Sequence, residues 1–267
     1  LNRIMDMGLA KKKAIIVGAS EGIGFAAAMG LAREGAEVFI VSRSMKKLEP
    51  AAAKIREETG AVVHAKDCDI TQAADIENLS TWLATKTDHV DILVTAVGGS
   101  VKRAFEDLSD DDWLANYEFN ILGNVRLVRS TLPLIRKSDS GTIVIVSAAG
   151  GKQPYPNQGV SNVHKAGVFG LTKTLASELV GEGIRVNSVA PGRTVTSLWT
   201  NRFDAMAEER GITPGEVQEE LAQEIPIKRF GEAEEIANVI VFMASDKSSY
   251  MIGQSVSVDG GMTRGLF

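Results

Sequence analysis

"AIIVGASEGIGFAAAMGLAREG", residues 14–35, decides the fold. Four apolar residues run straight into Gly18, and Gly22 and Gly24 then open a stretch whose apolar residues return at three- and four-residue spacing. A strand, a tight turn and a helix in that order make the first half of a β-α-β unit. Backbone stripped of side chains at the turn can approach a pyrophosphate closely, and the first helical turn offers unpaired N–H groups to its negative charge. The turn therefore reads as a nucleotide cradle lined by Gly18, Ser20, Gly22, Ile23 and Gly24.

About twenty residues on, the second strand of such a unit carries an acid for the ribose hydroxyl of NAD or a base for the extra phosphate of NADP. Here the chain reads "VSRS", residues 41–44. Ser42 brings no carboxylate to repel a phosphate, and Arg43 offers a guanidinium that can grip one, so NADP is expected over NAD. Glu21 opposes that reading, because a basic residue near this position would assist the phosphate.

Outward from this unit the pattern repeats. Short apolar runs at 14–18, 37–42, 62–67, 91–98, 141–147, 184–192 and 254–261 alternate with helical stretches such as "MKKLEPAAAKIREETG" and "AADIENLSTWLATKT". The expected fold is α/β: a doubly wound, Rossmann-like, seven-stranded parallel sheet forming a single domain over residues 1–267. A helical insertion at about 193–230 is expected on the substrate side, and one long helix over about 111–136.

Composition narrows the function classes. With 267 residues, 44% hydrophobic and a formal net charge of -5, the chain has material for a sizeable core and no broad attraction to nucleic acid. No apolar run approaches the roughly 20 residues of a membrane helix, and the one cysteine, Cys68, calls for no oxidising compartment. Cytoplasm is the expected location, with no membrane, nucleic-acid or metal partner. The opening "LNRIMDMGLAKKK" lacks the apolar core of a secretory signal, and its leading Leu1 is read as a remnant of processing or cloning.

The segments "GASEGIG", "CDIT" at 68–71, Asn120 in "EFNILGN", Ser147 in "IVSAAGG", Lys165 in "VHKAG", "NSVAPGRTVT" at 187–196 and the closing "YMIGQSVSVDGG" together resemble the short-chain dehydrogenase/reductase family, its 3-oxoacyl-carrier-protein reductase-like branch, over about residues 12–262. The resemblance implies that Asp69 and Ile70 hold the adenine and that Ala96, Val97 and Gly98 pass along the ribose. It also implies that Pro191, Gly192, Thr194 and Thr196 seat the nicotinamide end. Lys165 would bind the ribose, Ser147 the substrate oxygen, and Asn120 a water behind the lysine.

The family's proton carrier is a tyrosine four residues before the lysine, and here that position is Ser161. The usual "NNAG" after the fourth strand reads "TAVG", Thr95 to Gly98. A serine hydroxyl is shorter than a phenol and a far weaker acid, so the proton path must be atypical. A water between Ser161 and Lys165 is the favoured substitute. Tyr155 would need its loop to deliver it, and His164 points about 100° away from Lys165 on the same helix and is read as a surface or interface residue. Trp199 is a candidate pocket residue.

Two functions follow. One is an NADP-dependent oxidoreductase acting on a small-molecule carbonyl or secondary alcohol; the other is a nucleotide-binding scaffold with a non-redox or regulatory role. Surplus apolar faces on the helices around 111–136 and 162–180 lead to the expectation of a homodimer or homotetramer.

Overall fold

Seven short strands pair, all parallel, in the spatial order 3-2-1-4-5-6-7. They are β1 (Lys13–Val17), β2 (Glu37–Ser42), β3 (Val63–Asp67), β4 (Ile92–Thr95), β5 (Thr142–Val146), β6 (Arg185–Pro191) and β7 (Ser255–Val258). The computed structural model describes residues 5–266; Leu1 lies outside them.

Alternation along β1 shows why the sheet is covered on both faces. Ala14 and Ile16 point into one layer with α1 (Gly22–Arg33), α2 (Met45–Thr59) and α9 (Ala233–Ala244). Ile15 and Val17 point into the other, with α3 (Ala73–Lys86), α5 (Gly123–Ile135) and α6 (Gly159–Leu179). All four side chains are essentially unexposed, as a central parallel strand requires.

From β1 the chain moves outward to β3 and then returns to β4 on the other side of β1. That reversal leaves a crevice beyond the carboxyl ends of β1 and β4, the place where open α/β sheets bind ligands. The insertion expected at about 193–230 supplies α7 (Ser197–Arg210) and α8 (Pro214–Ala222), which share a third apolar cluster built on Phe203, Val217, Ile225 and Phe230. Thr213 starts α8 with a capping box to Glu216 and a proline at the first helical position.

Two elements depart from the sequence pattern. The run at 91–98 stops being a strand at Thr95, because Gly18 packs against the carbonyl of Ala96 and the chain turns away along the crevice. The long helix expected over 111–136 is α4 (Asp110–Tyr117) and α5 joined by a π-helical turn at Glu118–Leu122. Asn120 sits in that turn and is fully buried, its amide spent on neighbouring backbone rather than on solvent.

Candidate active site

A single cleft of about 680 Å³ runs from the glycine turn to α7. At its nucleotide end Gly18 takes φ +86° and Gly22 φ +59°, values that favour glycine. A side chain on Gly18 would meet the Ala96 carbonyl, and one on Gly24 the Gly18 carbonyl, so packing demands both glycines. Glu21, the residue before α1, makes no side-chain cap, which leaves the first N–H groups of the helix open to a ligand.

The expected nucleotide residues Ser20, Ile23, Ser42, Arg43, Ile70, Ala96, Val97, Gly98, Pro191, Gly192, Thr194 and Thr196 line the same cleft. Arg43 is exposed and lies 5.9 Å from the ring centroid of Phe119. Glu21, the feature that argued against phosphate, pairs with Lys47 at 3.4 Å, and Lys47 also lines the cleft. The end of β2 therefore presents two cations and one offset anion, a fit to a ribose phosphate. Asp69 makes a local contact. Its carboxylate accepts from the Thr71 N–H and hydroxyl at 3.0 and 2.8 Å, which turns it into a local loop tie, and it is not among the cleft-lining residues.

At the other end the side chains come from separate elements. Ser147, following β5, donates its N–H to the Val189 carbonyl and its hydroxyl to the Lys165 carbonyl, both at 2.8 Å. The hydroxyl is thus tied to α6. Gly151 has no room for a side chain against the Lys165–Ala166 backbone, so the loop after β5 presses directly on α6. Ser161 is buried on the first turn of that helix and lines the cleft with Ser147 and Lys165.

Lys165 is 6% exposed, with Nζ 3.5 Å from the carbonyl oxygens of Val97 and Val146. Gly98 is what lets it approach: a side chain there would meet Nζ and the Asn120 carboxamide oxygen. No carboxylate offsets the ammonium among the described residues, and burial pushes its pKa down to about 8.

Asn120 stands behind the lysine. Its Nδ2 donates to the Gly99 carbonyl at 3.1 Å and to Asn116 Oδ1 at 3.0 Å. Asn116 Oδ1 also meets His164 Nδ1 at 2.8 Å, so His164 carries its proton on Nδ1. His164, expected at the surface or in an interface, is half-buried against Trp113 and Tyr117. Burial lowers its pKa. The pairing joins residues 48 apart in sequence, and the spacing from His164 to Lys165 carried no sign of it.

Tyr155 lines the cleft with Lys165, and no hydrogen bond joins the two. The phenol lies 3.9 Å from Met262 Sδ, and burial together with Asp259 raises its pKa, the wrong direction for a proton donor near neutrality. Trp199 does line the cleft, as does Arg202, one helical turn further along α7, which the sequence reading passed over.

The family model described as enoyl-(acyl carrier protein) reductase matches residues 18–263. The 3-oxoacyl-[acyl-carrier-protein] reductase FabG of Thermotoga maritima is 35% identical over 256 residues, 96% of this chain and 99% of that protein. Dehydrogenase/reductase SDR family member 4 of Homo sapiens is 33% identical over 254 residues, 95% of this chain and 88% of that protein. Among solved structures, L-sorbose reductase from Gluconobacter frateurii, complexed with NADPH and L-sorbose, superposes with a TM-score of 0.95 at 33% identity, covering 98% of this chain and 100% of that one.

Proposed function

The chain belongs to the short-chain dehydrogenase/reductase family and is an oxidoreductase, and from that premise we propose that it interconverts a small carbonyl compound and its alcohol with NADP(H), Lys165 standing at the head of an atypical proton path. The observation that carries the reading is the buried Lys165 ammonium, without a carboxylate partner among the described residues, on the same cleft as the glycine turn, Ser147 and Ser161.

The glycine turn and the open start of α1 would hold the pyrophosphate, and Arg43 with Lys47 the ribose phosphate. When bound, the nicotinamide supplies or accepts the hydride. The protein's own task is the proton. A lysine whose pKa is near 8 is a stronger acid than an ordinary lysine or a phenol and can give its proton to an oxygen becoming an alkoxide. Ser161 is too short to bridge as a phenol would, so its hydroxyl holds a water that passes the proton from Lys165 Nζ to the substrate oxygen. Ser147 donates a hydrogen bond to that oxygen, and Asn120 fixes the loop at Gly98–Gly99 over the lysine. In the oxidative direction the neutral amine receives the proton along the same route.

A panel of ketones and alcohols with NADPH and NADP, run beside Ser161→Tyr, tests this. Turnover by the native protein supports it. Tight NADPH binding with no turnover of any ketone or alcohol, by native protein or variant, favours the nucleotide-binding scaffold instead.

Assembly into a dimer or tetramer fits the exposed apolar side chains of Leu114, Tyr117 and Val163 on α4 and α6. Sedimentation at micromolar concentration should show no stable monomer.

A further inference from the structure

The α7 side of the cleft holds two guanidinium groups, and they differ in what surrounds them. Arg193, after β6, is ion-paired with Glu224 and donates to the Leu221 carbonyl at 2.9 Å. Arg202, on α7, has no ion-pair partner among the described residues. It is half-buried, lines the cleft and lies 5.0 Å from the ring centroid of Trp199. Burial alone lowers its pKa, with no neighbouring carboxylate to oppose the shift. A cation partly removed from water and backed only by an indole face has unused donors and a standing desolvation cost. A planar guanidinium in that state suits a carboxylate or phosphate that brings two oxygens.

We propose that Arg202 receives an anionic group of the substrate, so that the preferred substrate is a carbonyl or hydroxy compound carrying a carboxylate or phosphate away from its reacting carbon. This rests on the oxidoreductase reading and names the substrate class for it. The position favours substrate over cofactor as the source of the anion. Trp199, on which Arg202 lies, packs against Phe203 and Phe230, and the cluster they belong to also takes in Tyr155, from the loop between Ser147 and Ser161. The cofactor's phosphates have their own receptors in the open start of α1, Arg43 and Lys47.

The test is calorimetric binding to the NADP-loaded protein, using 4-oxopentanoate against its methyl ester and dihydroxyacetone phosphate against dihydroxyacetone, with NADPH affinity measured alongside. Loss of a charge-assisted pair predicts that at least one anion binds roughly 10- to 100-fold tighter than its neutral partner. Which pair shows the gap tells carboxylate from phosphate. Arg202→Met should remove the gap, Arg202→Lys should keep part of it, and neither should alter NADPH affinity, which also certifies the fold. The proposal is overturned if neither anion outbinds its neutral partner in the native protein. It is equally overturned if Arg202→Met weakens NADPH binding and leaves the gap intact, which would give the guanidinium to the pyrophosphate. An Arg202-dependent gap in a protein that reduces no ketone keeps the anion receptor and removes the redox reading.

Discussion

At the nucleotide end of the cleft the ligand-facing groups are largely main chain, set by Gly18, Gly22 and the uncapped start of α1, within a few residues of one another. At the reacting end they are side chains: Ser147 after β5, Ser161 and Lys165 on α6, Asn120 in a π turn and Arg202 on α7. The first kind of site tolerates little change, since a single Cβ at Gly24 would strike backbone. The second kind can lose a member and be rewired. On the proposed reading, this is how a glycine-built nucleotide cradle can stand beside a reacting end with Ser161 in place of a phenol.

The largest effect is expected at Lys165, which lines the cleft. Lys165→Met should cut turnover by about 10²- to 10⁴-fold, as expected for loss of a positioned acid. It should also stabilise the cofactor-free protein. Burial lowers the folded pKa from 10.5 to about 8, so below pH 8 the native state bears the full cost of a charge the unfolded chain carries freely. At pH 7 the methionine variant should gain on the order of 3 kcal/mol, an advantage that shrinks as pH rises from 8 towards 10.5, where the native lysine is already neutral. Chemical denaturation at pH 7 and pH 10 measures both halves of the claim.

A smaller effect should be confined to the nucleotide end. Arg43→Ala is expected to weaken NADPH binding by about 10- to 100-fold and to leave NADH nearly untouched, because only the extra phosphate is lost as a partner. Titrating both cofactors against native and variant protein checks it; equal losses for the two would mean that Arg43 holds the fold of the β2 end rather than a phosphate.

The smallest effect sharpens the reacting end. Ser161→Ala should leave cofactor affinity unchanged and slow turnover only a few-fold, since a water can take the vacated space, whereas Ser147→Ala should cost more. Steady-state rates that reverse this order would make Ser161 itself the proton carrier.

The same division explains what could be read from the sequence. Seven parallel strands, two covered sheet faces and the glycine turn follow from local periodicity and from positions where glycine is favoured, and most of the residues expected around the nucleotide do line the cleft. The tie from Asp69 to Thr71 is a local contact that spacing along the chain does not reveal. The link from His164 through Asn116 to Asn120 depends on α4 crossing α6 and on the π turn, neither of which leaves a mark in spacing. What distinguishes Arg202 is the lack of an ion-pair partner among the described residues, and in a chain of 29 lysines and arginines that is a property of the folded neighbourhood alone.

Whether Lys165 supplies the proton is read from the pH dependence of carbonyl reduction at saturating NADPH. The rate should be level below pH 7, fall as pH passes about 8, and have its break moved upward in Ser161→Tyr, where a phenol takes over the proton. A rate that stays flat from pH 6 to pH 10, or a break that does not move in Ser161→Tyr, would contradict that role for Lys165.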